Sequence, residues 1–182
     1  ELVTEKFKKN GGIMQGLQIW VNLPQKDKKA KPWYQHIKKD DIPVIKESDN
    51  VEIKVLVGKI KNTKSLVQTY SPVSIFDIHF SNSDQINLEI SKNQIVMIYV
   101  IDGEFQFFDK NKIATKGQVI YFDQSADEIN LIAISSSGSC LVLAGEPLNE
   151  PVVRHGPFVT NTEGEMKQAM LDYQNGKMGE LR

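Results

Sequence analysis

Between Val51 and Gly145 apolar and polar residues alternate in short runs, and this period of two constrains the fold more than any other feature of the chain. In VEIKVLV (51–57), Val51, Ile53, Val55 and Val57 fall on one side and Glu52 and Lys54 on the other, as a strand with one buried face requires. SLVQTY, VSIFDIHF, QINLEI, QIVMIYVI, EFQFF, KIA, QVIYF, EINLIAI and SCLVLAG follow. Turn chemistry separates them at Pro72, Ser81–Asp84, Asp102-Gly103, Lys116-Gly117, 123–127 and Ser135–Gly138. Asp102-Gly103 is the strongest hairpin signal, because Asp-Gly suits a turn that needs positive φ. About ten strands with no helix between them predict an all-β antiparallel sandwich or barrel and exclude a parallel α/β sheet.

Helix is confined to the ends. Thr162 and Glu165 form a capping box, Met166, Ala169, Met170 and Tyr173 share one face, and Gly176 is the stop. Before the strands, GLQIWVNLP (16–24) reads as one more strand, with Leu17, Ile19, Val21 and Leu23 on one face and Trp20 on the other. A linker over 25–50 separates it from the rest, and linkers of that length join domains. The predicted organisation is a remnant of a preceding domain (1–24), a linker (25–50), a barrel (51–147), and a loop with a short helix (148–182).

Charge excludes broad attraction to nucleic acid or anionic membrane, since the formal net charge is only -1. Lys26, Lys28, Lys29 and Lys31 precede Trp33 and Tyr34, but no Arg stands among them to read base edges. Exposed lysines over a packed Trp/Tyr anchor explain the cluster, and no direct sequence-specific nucleic-acid binding is expected. Cys140 is alone, which rules out an internal disulfide, and its apolar setting reads as a small buried side chain. No apolar run approaches the ~20 residues of a membrane span, so an intracellular protein, cytoplasmic or nuclear, is expected.

Catalytic motifs are sparse. There is no Gly-rich phosphate loop, no nucleophile elbow and no Cys/His dyad spacing. The histidines, His36, His79 and His155, stand far apart without paired ligand spacing. Asp77 and His79 share one face of VSIFDIHF, about 7 Å apart at the backbone, and with Glu89 or Glu104 they form a candidate cation site. The bland reading is a surface or hydrogen-bonded pair. The proline-stiffened loop LAGEPLNEPVVRHGPFVTN holds Glu146, Glu150, Arg154, His155 and Phe158. A His beside an Arg there can bind an anion or touch a partner. The structural alternative pairs Arg154 with Glu146 or Glu150 and bonds His155 to a backbone carbonyl, locking the loop.

Four segments carry a resemblance: GLQIWVNLP (16–24), YQHIKKDDIPVI (34–45), YVIDGEFQF (99–107) and LVLAGEPLNEPVVRHGPFVTNTEGEMKQAMLDYQNGKMG (141–179). Together and in this order they resemble the C-terminal two-thirds of a pirin. The resemblance implies a bicupin, two antiparallel β-barrels of jelly-roll type with a short C-terminal helix packed back on them. It also implies iron in the N-terminal barrel, held by three His and one Glu, with the C-terminal barrel metal-free. Glu1 falls near the place of the ligand Glu, as one ligand of four, and no iron is expected on this chain alone. Trp20, Glu146, Arg154, His155 and Phe158 then become structural or interface residues. The family includes quercetin-opening dioxygenases and nuclear, iron-dependent transcriptional coregulators. Two functions follow as expectations: a non-catalytic cupin module acting through a protein partner or self-association, and, with a full N-terminal cupin, an iron-dependent quercetinase-like enzyme taking a flavonol-like ligand.

Overall fold

A computed structural model describes residues 5–14, 16–107, 109–122 and 128–179; Glu1 and the predicted turn at 123–127 lie outside the described residues. A short helix, α1 (Glu5–Asn10), comes first. The strands in chain order are β1 (Val44–Lys46), β2 (Val51–Val57), β3 (Lys59–Ile60), β4 (Thr63–Lys64), β5 (Val73–Phe80), β6 (Asp84–Glu89), β7 (Ile95–Asp102), β8 (Glu104–Phe107), β9 (Asp109–Thr115), β10 (Val119–Phe122), β11 (Glu128–Ala133), β12 (Gly138–Gly145), β13 (Val153–His155) and β14 (Phe158–Thr160). Helix α2 (Glu163–Gln174) closes the described chain.

One sheet runs β1-β2-β5-β12-β7-β10 and a second runs β6-β11-β8-β9, with every pairing antiparallel. Alternation decides what lies between them. Val51, Ile53 and Val55 of β2, Phe76, Ile78 and Phe80 of β5, and Ile98 and Val142 of the neighbouring strands meet Leu88, Phe105, Ile129 and Leu131 of the second sheet. Phe105 is fully buried and meets Phe80 edge to face at 5.4 Å. Side chains of this size stabilise by about 1.5–3 kcal/mol each when fully buried. Their packing fills the interior of the sandwich, and all-β architecture with one C-terminal helix is as the alternation predicts.

Several sequence readings are corrected. Asp102-Gly103 does not close a hairpin between paired strands: β7 lies in the first sheet and β8 in the second, so the turn carries the chain across the sandwich. Gly103 is left-handed (φ 83°), and a Cβ there would lie 2.6 Å from the Ser137 carbonyl oxygen. SLVQTY is loop, because the buried Ser65 hydroxyl donates to the Leu56 carbonyl (2.6 Å) and accepts from Val67 N–H (3.1 Å), bending the chain locally. GLQIWVNLP forms no strand among the described residues: Ile19, Trp20 and Val21 lie against Ile75, Met97 and Leu143 on a face of the first sheet instead of pairing along an edge. The expected linker over 25–50 is not free of strand: β1 pairs with β2, Ile45 opposite Ile53, and packs its side chain on the core. The rigid loop after Gly145 contains a hairpin, β13 with β14.

Candidate functional site

Polar side chains converge in two places. On the outer face of the first sheet, cross-strand register sets Lys54 of β2 opposite Asp77 of β5. The Asp77 Oδ2 lies 2.8 Å from His79 Nε2, while the Lys54 ammonium lies 3.1 Å from the same ring nitrogen and 3.5 Å from Oδ2. One ring nitrogen cannot donate to the carboxylate and accept from the ammonium at once. When Nε2–H donates to Asp77, Lys54 is left to the carboxylate. Burial alone raises the Asp77 pKa, yet the hydrogen bond from His79, the His79 charge and Lys54 outweigh it and hold the carboxyl below its ordinary 3.8.

This geometry does not fit a metal. Asp77 and His79 point away from the sandwich interior, where Phe76, Ile78 and Phe80 point. Glu89 and Glu104 belong to the second sheet, and the cation beside the pair is an ammonium. Among the described residues no three His, Cys, Asp or Glu side chains group as a metal site. His36 stacks at 6.5 Å on Tyr34, and His155 is exposed on β13, so the three histidines never meet. Glu1 lies outside the described residues. Lys54 is the residue that sequence reasoning missed, because only the β2–β5 register brings it to Asp77.

The second place is the C-terminal hairpin. Alternation along β13 and β14 puts Arg154 beside Val159 on one face, with His155 beside Phe158 on the other. Arg154 and His155 therefore cannot close on one ligand, contrary to the reading that joins them. Phe158 meets Tyr173 of α2 edge to face at 5.8 Å. The capping box forms as predicted, with Thr162 accepting from Glu165 N–H and Glu165 accepting from Thr162 N–H. The expected loop lock uses other groups. Among the described residues Arg154 pairs with neither Glu146 nor Glu150, and His155 makes no carbonyl bond. Instead Glu150 accepts from Gln25 N–H (2.7 Å) and from the Asn161 amide (3.1 Å), while Asn161, 4% exposed, also donates to the Pro151 carbonyl (3.0 Å). Asn161 carries no sequence signal beyond standing just before a helix cap.

Glu150 thereby ties the 16–31 segment to the hairpin. Trp20 lies across the outer face of the first sheet, where it and Ile19 share a groove of about 260 Å³ with Ile75, Met97, Leu143 and Glu146. A second cleft of about 450 Å³ opens between this segment and the Arg154 face of the hairpin. The Trp33/Tyr34 pair is not a packed anchor, since Trp33 is 49% and Tyr34 85% exposed. No helix among the described residues is long and apolar enough to cross a membrane.

Two packed antiparallel sheets with strands crossing between them define the jelly-roll, cupin-like class. The pirin C-terminal cupin domain matches residues 75–179 of the chain. The chain belongs to the pirin family. It is 35% identical to a pirin-like protein of Solanum lycopersicum, over 92% of this chain and 58% of that protein. It is 36% identical to pirin of Mus musculus, over 90% of this chain and 57% of that protein. The crystal structure of quercetin 2,3-dioxygenase from Acinetobacter baumannii superposes with a TM-score of 0.84 at 29% identity, covering 90% of this chain and 56% of that one. The chain thus spans less than two thirds of the length of the relatives it matches.

Proposed function

We propose that this chain is a non-catalytic cupin binding module of the pirin family, acting through protein contacts in the manner of a coregulator. The observation that carries this reading is the filled sandwich. Phe76, Phe80, Phe105, Leu88, Ile98 and Leu131 occupy the space in which a barrel would otherwise hold a substrate, and the grooves described above lie on the outside. Surface chemistry suits contact with another protein. Trp20, Met97, Val119 and Tyr121 are 59%, 41%, 58% and 60% exposed, and large exposed apolar side chains grouped on one sheet face mark interaction sites. The test is direct: metal analysis of the purified chain after ferrous iron is added, with quercetin loss followed by absorbance. Substoichiometric iron and no turnover are expected. Stoichiometric iron lost on His79→Ala overturns the reading.

A second reading belongs to a protein of the relatives' full length. The superposition on a structure named as a quercetin 2,3-dioxygenase favours an iron-dependent, quercetinase-like enzyme, to which the present barrel contributes scaffold. The residues described here do not form that metal site, so no step is assigned to them. In this reading residues 1–24 belong to a preceding cupin barrel, with Glu1 as one ligand of the iron. Reading the coding sequence upstream of Glu1 for His-x-His and His-x-Glu pairs decides it.

A further inference from the structure

The cleft between the 20–28 segment and the Arg154 face of the β13–β14 hairpin gathers hydrogen-bond donors. Its polar lining consists of Asn22, Lys28 and Arg154, and no Asp or Glu lines it. Lys28 donates to the Asn22 side-chain oxygen at 2.7 Å, so the amide's two N–H groups are the part of Asn22 that can donate to a ligand. Arg154 makes no ion pair among the described residues. Two acids near the hairpin are engaged elsewhere: Glu150 serves Gln25 and Asn161, and Glu165 serves the backbone N–H groups of Asn161 and Thr162. The remaining walls are apolar, with Trp20, Pro157 and Val159 among them. Strand alternation sets the Val159 wall beside the guanidinium.

We propose that this cleft is a binding site for a small carboxylate with an apolar body. A carboxylate is the acceptor that a guanidinium fork takes through two parallel N–H bonds, and the Lys28 ammonium and Asn22 amide complete its coordination. The apolar walls select a hydrocarbon or aromatic body over a bare inorganic anion. The volume of about 450 Å³ falls within the range of small-molecule sites. Cation and indole in one cleft also favour an aromatic ring, which stacks on Trp20 while its carboxylate meets the charges. The site is separate from the Asp77–His79 cluster and needs no metal.

Isothermal titration calorimetry tests it with three probes, naphthoate, neutral naphthalenemethanol and inorganic phosphate, on the 182-residue chain. Naphthoate binds with one-to-one stoichiometry, and the alcohol and phosphate bind at least about tenfold more weakly. Arg154→Gln and Lys28→Gln each weaken naphthoate about tenfold, Arg154→Lys loses less because it keeps the charge, and His155→Ala, on the opposite face, changes nothing. Arg154 is exposed, so its substitutions leave thermal unfolding unchanged and the binding loss is read without loss of fold. Equal affinity for the alcohol, tighter binding of phosphate, unchanged affinity in the two Gln variants, or no naphthoate binding at millimolar concentration overturns the proposal.

Discussion

Asp77 shows how one residue couples electrostatics to stability. Its folded pKa lies below the ordinary 3.8, so the carboxylate stabilises the fold above that value and the contribution is lost as pH falls through the folded pKa. Asp77→Asn is expected to cost about 1 kcal/mol at neutral pH, with a smaller gap to the parent protein at an acidic pH below 3.8, where the carboxylate is lost through its lowered folded pKa. Urea unfolding at the two pH values measures it, and a gap that does not change with pH contradicts the role given to the carboxylate. Buried in the core, the Cys140 thiol is pushed up by burial and then by the Asp77 charge, which keeps it protonated and unreactive. Period-two alternation was enough to place Asp77 and His79 on one face. It was silent on Lys54, because a neighbour across a ladder depends on register rather than on spacing along the chain.

At the scale of elements, turn residues and caps act through backbone geometry. Gly103→Ala places a Cβ at positive φ within 2.6 Å of the Ser137 oxygen and 2.8 Å of Gly138 Cα, atoms of backbone that cannot swing away. A loss of about 1–3 kcal/mol is expected, visible as a lower thermal midpoint. Thr162→Ala removes the acceptor for Glu165 N–H and breaks the reciprocal box; about 1 kcal/mol is expected, again by thermal unfolding. The box was legible because its parts sit three residues apart in one local motif. The destination of the Asp-Gly turn was not. A reversal at positive φ looks the same whether the next strand pairs within the sheet or faces it across the core, since both outcomes bury alternate side chains.

For the molecule as a whole, one sheet face is dry and the other only partly covered. The outer face of the first sheet carries Met97, Val119 and Tyr121, and the Trp20 segment screens it incompletely. Concentration-dependent self-association is the expected result, and the pair Val119→Lys and Tyr121→Lys, at exposed positions of β10, shifts the chain toward monomer in sedimentation experiments. A monomer at all concentrations argues against self-association through this face.

The sequence by itself determined the class of fold, the limits of eight of the longer strands to within a few residues, the capping box and the buried cysteine, and its four resembling segments led to the pirin family. Those features are local: each depends on alternation, turn residues or motifs within a short stretch of chain. Only the tertiary structure decided that β5 lies between β2 and β12, that Lys54 meets Asp77, that Asn161 and Glu150 rather than Arg154 hold the final loop, and that Arg154 and His155 look in opposite directions. Pairing between strands distant in sequence is chosen by how the whole core packs, and no spacing along one chain encodes that choice. It is the same long-range packing that carries Lys28 to the hairpin and leaves a donor-lined cleft between them.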